Sequence, residues 1–346
     1  MHDEEDKLKK LNMRSKNLVR ILKIIFTRKA NITVLIVLMF LCVSVQVKYV
    51  YTGLSADGSN AVLRYKSDIS KLPNERQDQH TSCISTQGNE EFSQLIESLN
   101  KTCSGIECSK LYKRLLRAAN VSENIAEKAY SVSLHSKKVL FTMINGNYLE
   151  LAYSWFCNTK YFGIHKSLVV VTTDRKAYIS IQKDWPDITP VLIDHEDMEG
   201  DQEYSRVGYL NIMVKRTLLI LVVLMSDVEL FLVEMDSVWF SNAVDAVQVN
   251  INVDMLVNPV VPGIYNGGLL YVVPTNKSKV LWMKLSAMMI DLSKVLENCK
   301  RSHQVPESDN DQVYFSQLVM KRHVQFCLVQ MTYANNLFNL SIIKCP

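Results

Sequence analysis

Apolar and polar positions change their rhythm partway along the chain, and from Val139 onward short apolar runs alternate with stretches of helical spacing. Val139-Leu140-Phe141-Thr142-Met143-Ile144 closes on Asn145-Gly146-Asn147, and Leu168-Val169-Val170-Val171-Thr172-Thr173 closes on Asp174. Between them Leu149, Ala152, Tyr153 and Phe156 recur at the period of a helix. Followed by Pro190-Val191-Leu192-Ile193, these units predict an α/β fold with a doubly wound, mostly parallel sheet covered by helices. Leu218 to Met225 is unbroken apolar sequence, but it starts beside Lys215-Arg216 and is too short to cross a bilayer. It reads as a buried helix feeding a strand at Leu230. Ser278 to Glu297 carries Val280, Leu281, Met283, Leu285, Met288, Met289 and Leu292 on one stripe, which reads as core packing.

Upstream the pattern differs. Ala30 to Val47 is apolar without a charge, close to the lower limit of ~17–20 residues for a membrane span. Lys7, Lys9, Lys10, Arg14, Lys16, Arg20, Lys23, Arg28 and Lys29 precede it, so the positive-inside rule keeps the N-terminus cytosolic. The long polar preface, with no small-residue cleavage site after the span, favours a signal-anchor over a cleaved signal peptide. Residues 55–87 are polar and aperiodic, as in a stem, although Phe92, Leu95, Ile96 and Leu99, then Leu111, Leu115 and Leu116, suggest short helices at its end. The chain therefore divides into a cytosolic tail (1–29), a transmembrane signal-anchor (30–47), a luminal stem (48–130) and a folded domain (131–346).

Sequons at Asn100, Asn120, Asn276 and Asn339 all lie beyond the anchor, on the luminal side. So do seven cysteines, Cys83, Cys103, Cys108, Cys157, Cys299, Cys327 and Cys345. An odd number in an oxidising compartment leaves one free or disulfide-linked to a partner chain. The spacing of Cys103 and Cys108, with no second pair at finger distance, predicts a local disulfide rather than zinc. The net charge of +4 owes much to the cytosolic tail, so no nucleic-acid partner is expected.

The candidate chemistry sits at Leu230-Phe231-Leu232-Val233-Glu234-Met235-Asp236, an apolar run ending on two carboxylates two residues apart. In extended backbone Glu234 and Asp236 would share a face and could hold Mg²⁺ or Mn²⁺, whose shell is commonly completed by water and phosphates. The plainer reading is a chain leaving its core for water. Asn266-Gly267-Gly268 allows either a tight turn or close backbone approach to a ligand.

The order of these elements, with Tyr209-Leu210-Asn211 and Lys215 on one helix, then Val238-Trp239, Asn266 to Thr275 and Asp309-Asn310-Asp311-Gln312, resembles the nucleotide-diphospho-sugar transferase family. These are type II membrane glycosyltransferases of GT-A fold, and the resemblance covers roughly residues 136–338. It implies that the domain transfers a sugar from a nucleotide sugar, expected to be a UDP-sugar, to a glycan or glycoprotein acceptor. It further implies a Mn²⁺ or Mg²⁺ cofactor and residence in the Golgi or ER membrane, with the C-terminal domain luminal.

Carried onto this sequence, the family's metal motif falls on Glu234 and Asp236, with Glu replacing the usual first Asp. Lys215 matches the family's helix lysine and would contact a phosphate or the acidic pair. Thr142 and Asn145, at the end of the first strand, stand where doubly wound folds bind nucleotides. Gly267 and Gly268 resemble the glycine turn beside the acceptor, and Asp311 and Gln312 the catalytic pair near the sugar. Asp311 would equally stabilise the first turn of a helix. The family's late histidine-bearing segment has no match, since His303 and His323 precede its place. The alternative function is therefore a catalytically inactive, membrane-anchored subunit that binds glycans or stabilises a partner.

Overall fold

The first apolar run forms β1 (Val139–Ile144), the second β2 (Leu168–Thr172), and β3 (Thr189–Leu192) and β4 (Leu230–Leu232) follow. This computed structural model describes residues 106–344 apart from 137, 194–197, 199–201, 248–252, 262, 322–323, 325 and 335–336. The expected tail, anchor, most of the stem and Cys103 lie outside the described residues. Four further strands, β5 (Met255–Val261), β6 (Ile264–Val272), β7 (Phe326–Ala334) and β8 (Leu337–Lys344), complete one sheet of order β3-β2-β1-β4-β6-β5-β7-β8.

The sheet is parallel from β3 through β2 and β1 to β4, as the alternating units predict. Beyond β4 it becomes mixed. β6 runs antiparallel to both β4 and β5, β7 parallel to β5, and β8 antiparallel to β7. The cause is connection length. β5 and β6 are joined by a tight hairpin with Val261 opposite Ile264, and a link that short permits only antiparallel neighbours.

Strand alternation then distributes the side chains between two cores. Val139, Phe141, Val169, Val171, Leu230, Leu232, Met255, Val257, Leu270 and Val272 face one side. Helices α1 (Ile106–Ala118), α2 (Asn124–Ser136), α5 (Val207–Met225), α7 (Asn276–Val295) and α8 (Asp311–Met320) cover it. Leu140, Leu168, Val170, Phe231, Leu256 and Tyr271 face the other side, against α3 (Leu149–Thr159) and α4 (Arg175–Asp184). A short α6 (Ala243–Ala246) follows β4.

Two consequences bear on the sequence reading. Leu111, Leu115, Leu116, Ile125, Ala129 and Val132 are buried in the first core, so α1 and α2 belong to the folded unit, which starts ahead of residue 131. α5, the one described helix long and apolar enough to span a bilayer, is mostly buried between the sheet and α7, as its charged start at Lys215-Arg216 suggests. Cys157 is a free, exposed thiol.

Candidate functional site

In a doubly wound sheet ligands bind where the strand order reverses, beyond the strands' C-terminal ends. Here the order 3-2-1-4 reverses between β1 and β4, and a cleft of about 340 Å³ opens there. Its walls are the end of β1 (Thr142, Asn145), the chain leaving β4 (Glu234, Asp236), the middle of β6 (Gly267, Gly268) and the start of α8 (Asp311, Gln312). The structure thus brings every sequence-predicted site residue except Lys215 to one cavity. Lys215 points elsewhere: its ammonium donates to the backbone carbonyls of Ala119 and Asn120, where it caps the C-terminus of α1.

The neighbouring residue supplies the cleft's cation instead. An α-helix advances about 100° per residue, so Arg216 faces the cavity that Lys215 turns away from, in line with Tyr209, Ile212 and Met213. Arg216 Nη2 donates to the Gly267 carbonyl at 2.7 Å, and Nη1 lies 3.6 Å from Asp311 Oδ2. Both side chains are only 15% exposed, so this pair is shielded from the screening that weakens surface ion pairs. Burial pushes the Asp311 carboxyl up from its ordinary value, and Arg216 opposes that shift. Asp311 sits in the first turn of α8 behind the cap formed by Asn310, whose Oδ1 accepts from Val313 N. It therefore occupies both positions that the sequence offers it, the helix start and the cleft.

Glu234 and Asp236 are not on a strand. β4 ends at Leu232, and Met235 and Asp236 lie in a turn. That turn is fastened at both sides: Ser237 Oγ donates to the Glu234 carbonyl at 2.6 Å, and Asn158 pairs with the backbone of Trp239 through both its amide atoms, at 2.8 and 2.9 Å. Trp239 is buried edge-on against Trp155, 5.2 Å between ring centroids. The result places Glu234 half-buried in the cleft and leaves Asp236 exposed.

The glycine pair lies inside β6 rather than in a turn. Its Asn266 accepts from Gly268 N and Leu269 N, at 2.6 and 3.0 Å, and its side chain also hydrogen-bonds the Glu234 carboxylate. A Cβ on Gly268 would fall 1.7 Å from Glu234 Oε1, whereas one on Gly267 would meet Gln312 at an ordinary 3.5 Å. Gly268 is therefore the seat of the Glu234 carboxylate. Burial pushes that carboxyl up as well; Arg216 opposes the shift and Asp236 adds to it.

Thr142 is buried on β1, and Asn145 caps the following turn by accepting from Tyr148 N at 3.1 Å. Tyr148, Tyr204 and Tyr209 also line the cavity. Sequence reasoning missed Arg216 and Tyr209 as site residues, although Tyr209, Ile212, Met213 and Arg216 recur at i, i+3, i+4 and i+7 on one helix face.

For a divalent ion the donor set is hard oxygen, which suits Mg²⁺ or Mn²⁺. Among the described residues no group of three His, Cys, Asp or Glu side chains could hold a metal. Asp236, exposed, and Glu234 would thus hold an ion only jointly with ligands brought by a substrate.

A family model described as nucleotide-diphospho-sugar transferase matches residues 163–338, just over half of the 346-residue chain. The match includes Arg216, Glu234, Asp236, the glycine pair, Asp311 and Gln312. No curated protein sequence matches the chain.

Proposed function

Because the chain belongs to the nucleotide-diphospho-sugar transferase family, we propose that its cleft takes the diphosphate of a UDP-sugar and passes the sugar to a glycan or glycoprotein acceptor. The family itself implies glycosyl transfer from a nucleotide sugar; UDP, the acceptor and the metal are our reading. The observation that carries it is the convergence of Glu234, Asp236, Asp311 and Arg216 on one cavity at the switch point between β1 and β4. A bound Mn²⁺ or Mg²⁺ would supply positive charge to the leaving diphosphate.

Each residue then has a part in binding and orientation. Asp236 and Glu234 hold the cation side of the diphosphate, while Thr142 and Asn145 border the nucleoside end. Gly268 gives Glu234 its seat, and Gly267 is held by Arg216 and by Gln312, whose Oε1 accepts from Gly267 N at 3.3 Å. Asp311, fixed by Arg216, faces the sugar with Gln312. A preformed arrangement of charges needs no reorganisation as the leaving group departs, which is the source of such catalysis.

The basic cluster before the apolar span at 30–47 and the sequons beyond it support a type II protein of the Golgi or ER membrane with this domain luminal. The test is hydrolysis of a panel of nucleotide sugars by the purified protein, with Mn²⁺ and with EDTA. At least one UDP-sugar is expected to be hydrolysed only with the ion. A folded protein that binds UDP and Mn²⁺ but releases UDP from none of the donors would put the inactive, glycan-binding reading in place of catalysis.

A further inference from the structure

Tyr204 is the most conspicuous side chain at the cleft that the donor reading leaves unused. It is 61% exposed, yet its ring lies 5.2 Å from that of Tyr209, with the planes inclined at 59°. Both tyrosines line the main cavity and also a small adjoining hollow with Arg206, Pro306, Asp309 and Asn310.

The segment that carries Tyr204 is held, not loose. Arg206 bridges antiparallel to Gln304, Val305 N donates to the Ser205 carbonyl at 2.9 Å, and Val207 N donates to the His303 carbonyl at 3.0 Å. Ser205 itself has a left-handed backbone, φ 59°. The other described non-glycine residues with positive φ are Asn120 and Asp227, types whose short side chains tolerate that conformation better than serine does. Strain of this kind persists only where the surroundings enforce it, and it concentrates at ligand clamps. What the strained turn displays is an aromatic face at the mouth of the cleft.

We infer that Tyr204 and Tyr209 form the platform on which a pyranose ring of the acceptor stacks. This deepens the function proposed above and rests on it for the word acceptor. A pyranose has an apolar face of axial C–H groups, which an aromatic ring covers, and a rim of hydroxyls that needs polar partners. Beside the platform is the Asp309 carboxylate, which accepts from the Tyr314 hydroxyl at 3.2 Å and has lone pairs to spare. The Asn310 amide is committed, donating to the Glu307 carbonyl and accepting from Val313 N. In the donor reading above the nucleoside end is at β1 with Thr142 and Asn145; Tyr204 and Tyr209 line the same cavity but also the hollow of Pro306 and Asp309 on the approach to α8, where Asp311 and Gln312 begin.

The test is saturation-transfer NMR on the full chain with methyl pyranosides of glucose, galactose, mannose and N-acetylglucosamine as probes, in the presence of UDP and Mn²⁺. At least one pyranoside is expected to receive saturation at its ring C–H protons. Tyr204→Ala should weaken it about tenfold, ~1.4 kcal/mol, Tyr204→Phe should preserve it, and both variants should keep the wild-type affinity for UDP. Pyranoside binding indifferent to Tyr204→Ala would overturn the inference, as would no pyranoside binding to a protein that binds UDP. Loss of UDP affinity in Tyr204→Ala would also overturn it, assigning the ring to the nucleobase. If UDP does not bind the wild type while a pyranoside binds through Tyr204, the platform stands and the donor reading fails.

Discussion

Gly268→Ala is expected to reduce kcat/KM by about 10²-fold, whereas Gly267→Ala, one residue away, leaves it within a few-fold of wild type. The new methyl at 268 would overlap Glu234 from its Oε1 to its Cγ, at 1.7 to 2.5 Å, so the entire carboxylate arm must rotate out of the cleft. Displacing a site group by an ångström or more commonly costs that much. Gly268 has an ordinary φ, so alanine brings no backbone strain, and the rotated glutamate regains the solvent its burial denies it. The melting temperature should therefore hardly move. At 267 the same methyl meets only ordinary contacts with Gln312. Steady-state kinetics and thermal melts of the two alanine variants, side by side, check the claim; equal losses in both would deny Gly268 its role as the seat of Glu234.

Removing the cleft's cation should instead be paid in stability. Arg216→Gln strips the partner from a carboxylate that is 15% exposed and from the Gly267 carbonyl, and breaking a buried pair from one side costs about 3–5 kcal/mol. Part of that is recovered because burial already favours the protonated form of Asp311. For a domain of this size about 3 kcal/mol lowers the melting temperature by roughly 6–12 °C. Replacing both partners by apolar groups, Arg216→Met with Asp311→Leu, should restore most of the stability while leaving the enzyme inactive. A double variant no more stable than Arg216→Gln would indicate that the two residues are not a coupled pair.

What the sequence discloses and what it hides have the same physical origin. Continuous apolar runs mark β1, β2 and β4 because these strands are buried on both faces, alternate residues entering the two cores. The acidic pair was legible because an apolar run ended on it, although β4 stops two residues before Glu234 and a turn, not a strand, presents the carboxylates. The glycine pair resembled a turn because its side, Ile264 to Gly268, lacks the apolar run that marks the rest of β6; pairing with β5 on either side of it, Tyr265 opposite Pro259 and Leu270 opposite Val257, carries the strand past it as an irregularity, and local sequence does not record that pairing. Lys215 and Arg216 are adjacent cations that one helical step aims in different directions, and residue type alone does not say which faces the cleft. Their neighbours do: Tyr209, Ile212 and Met213 share the face of Arg216. The apolar positions of α1 were visible too, whereas those of α2, Ile125, Ala129 and Val132, were not read; the burial of both helices depends on α5 and α7, far along the chain.

The central claim is that Glu234 and Asp236 hold a cation together with a nucleotide diphosphate, and it is tested most directly by thermal melts of the purified protein with Mn²⁺, with UDP and with both. Each ligand should supply coordination to the other, so the joint stabilisation should exceed the sum of the separate ones; saturation at 100 times the dissociation constant gives about 2.7 kcal/mol, well within reach of a melt. Asp236→Asn preserves shape and removes charge, and being exposed it should leave the fold intact while abolishing that excess. Strictly additive shifts in the wild type, or an excess that survives in Asp236→Asn, would contradict the account.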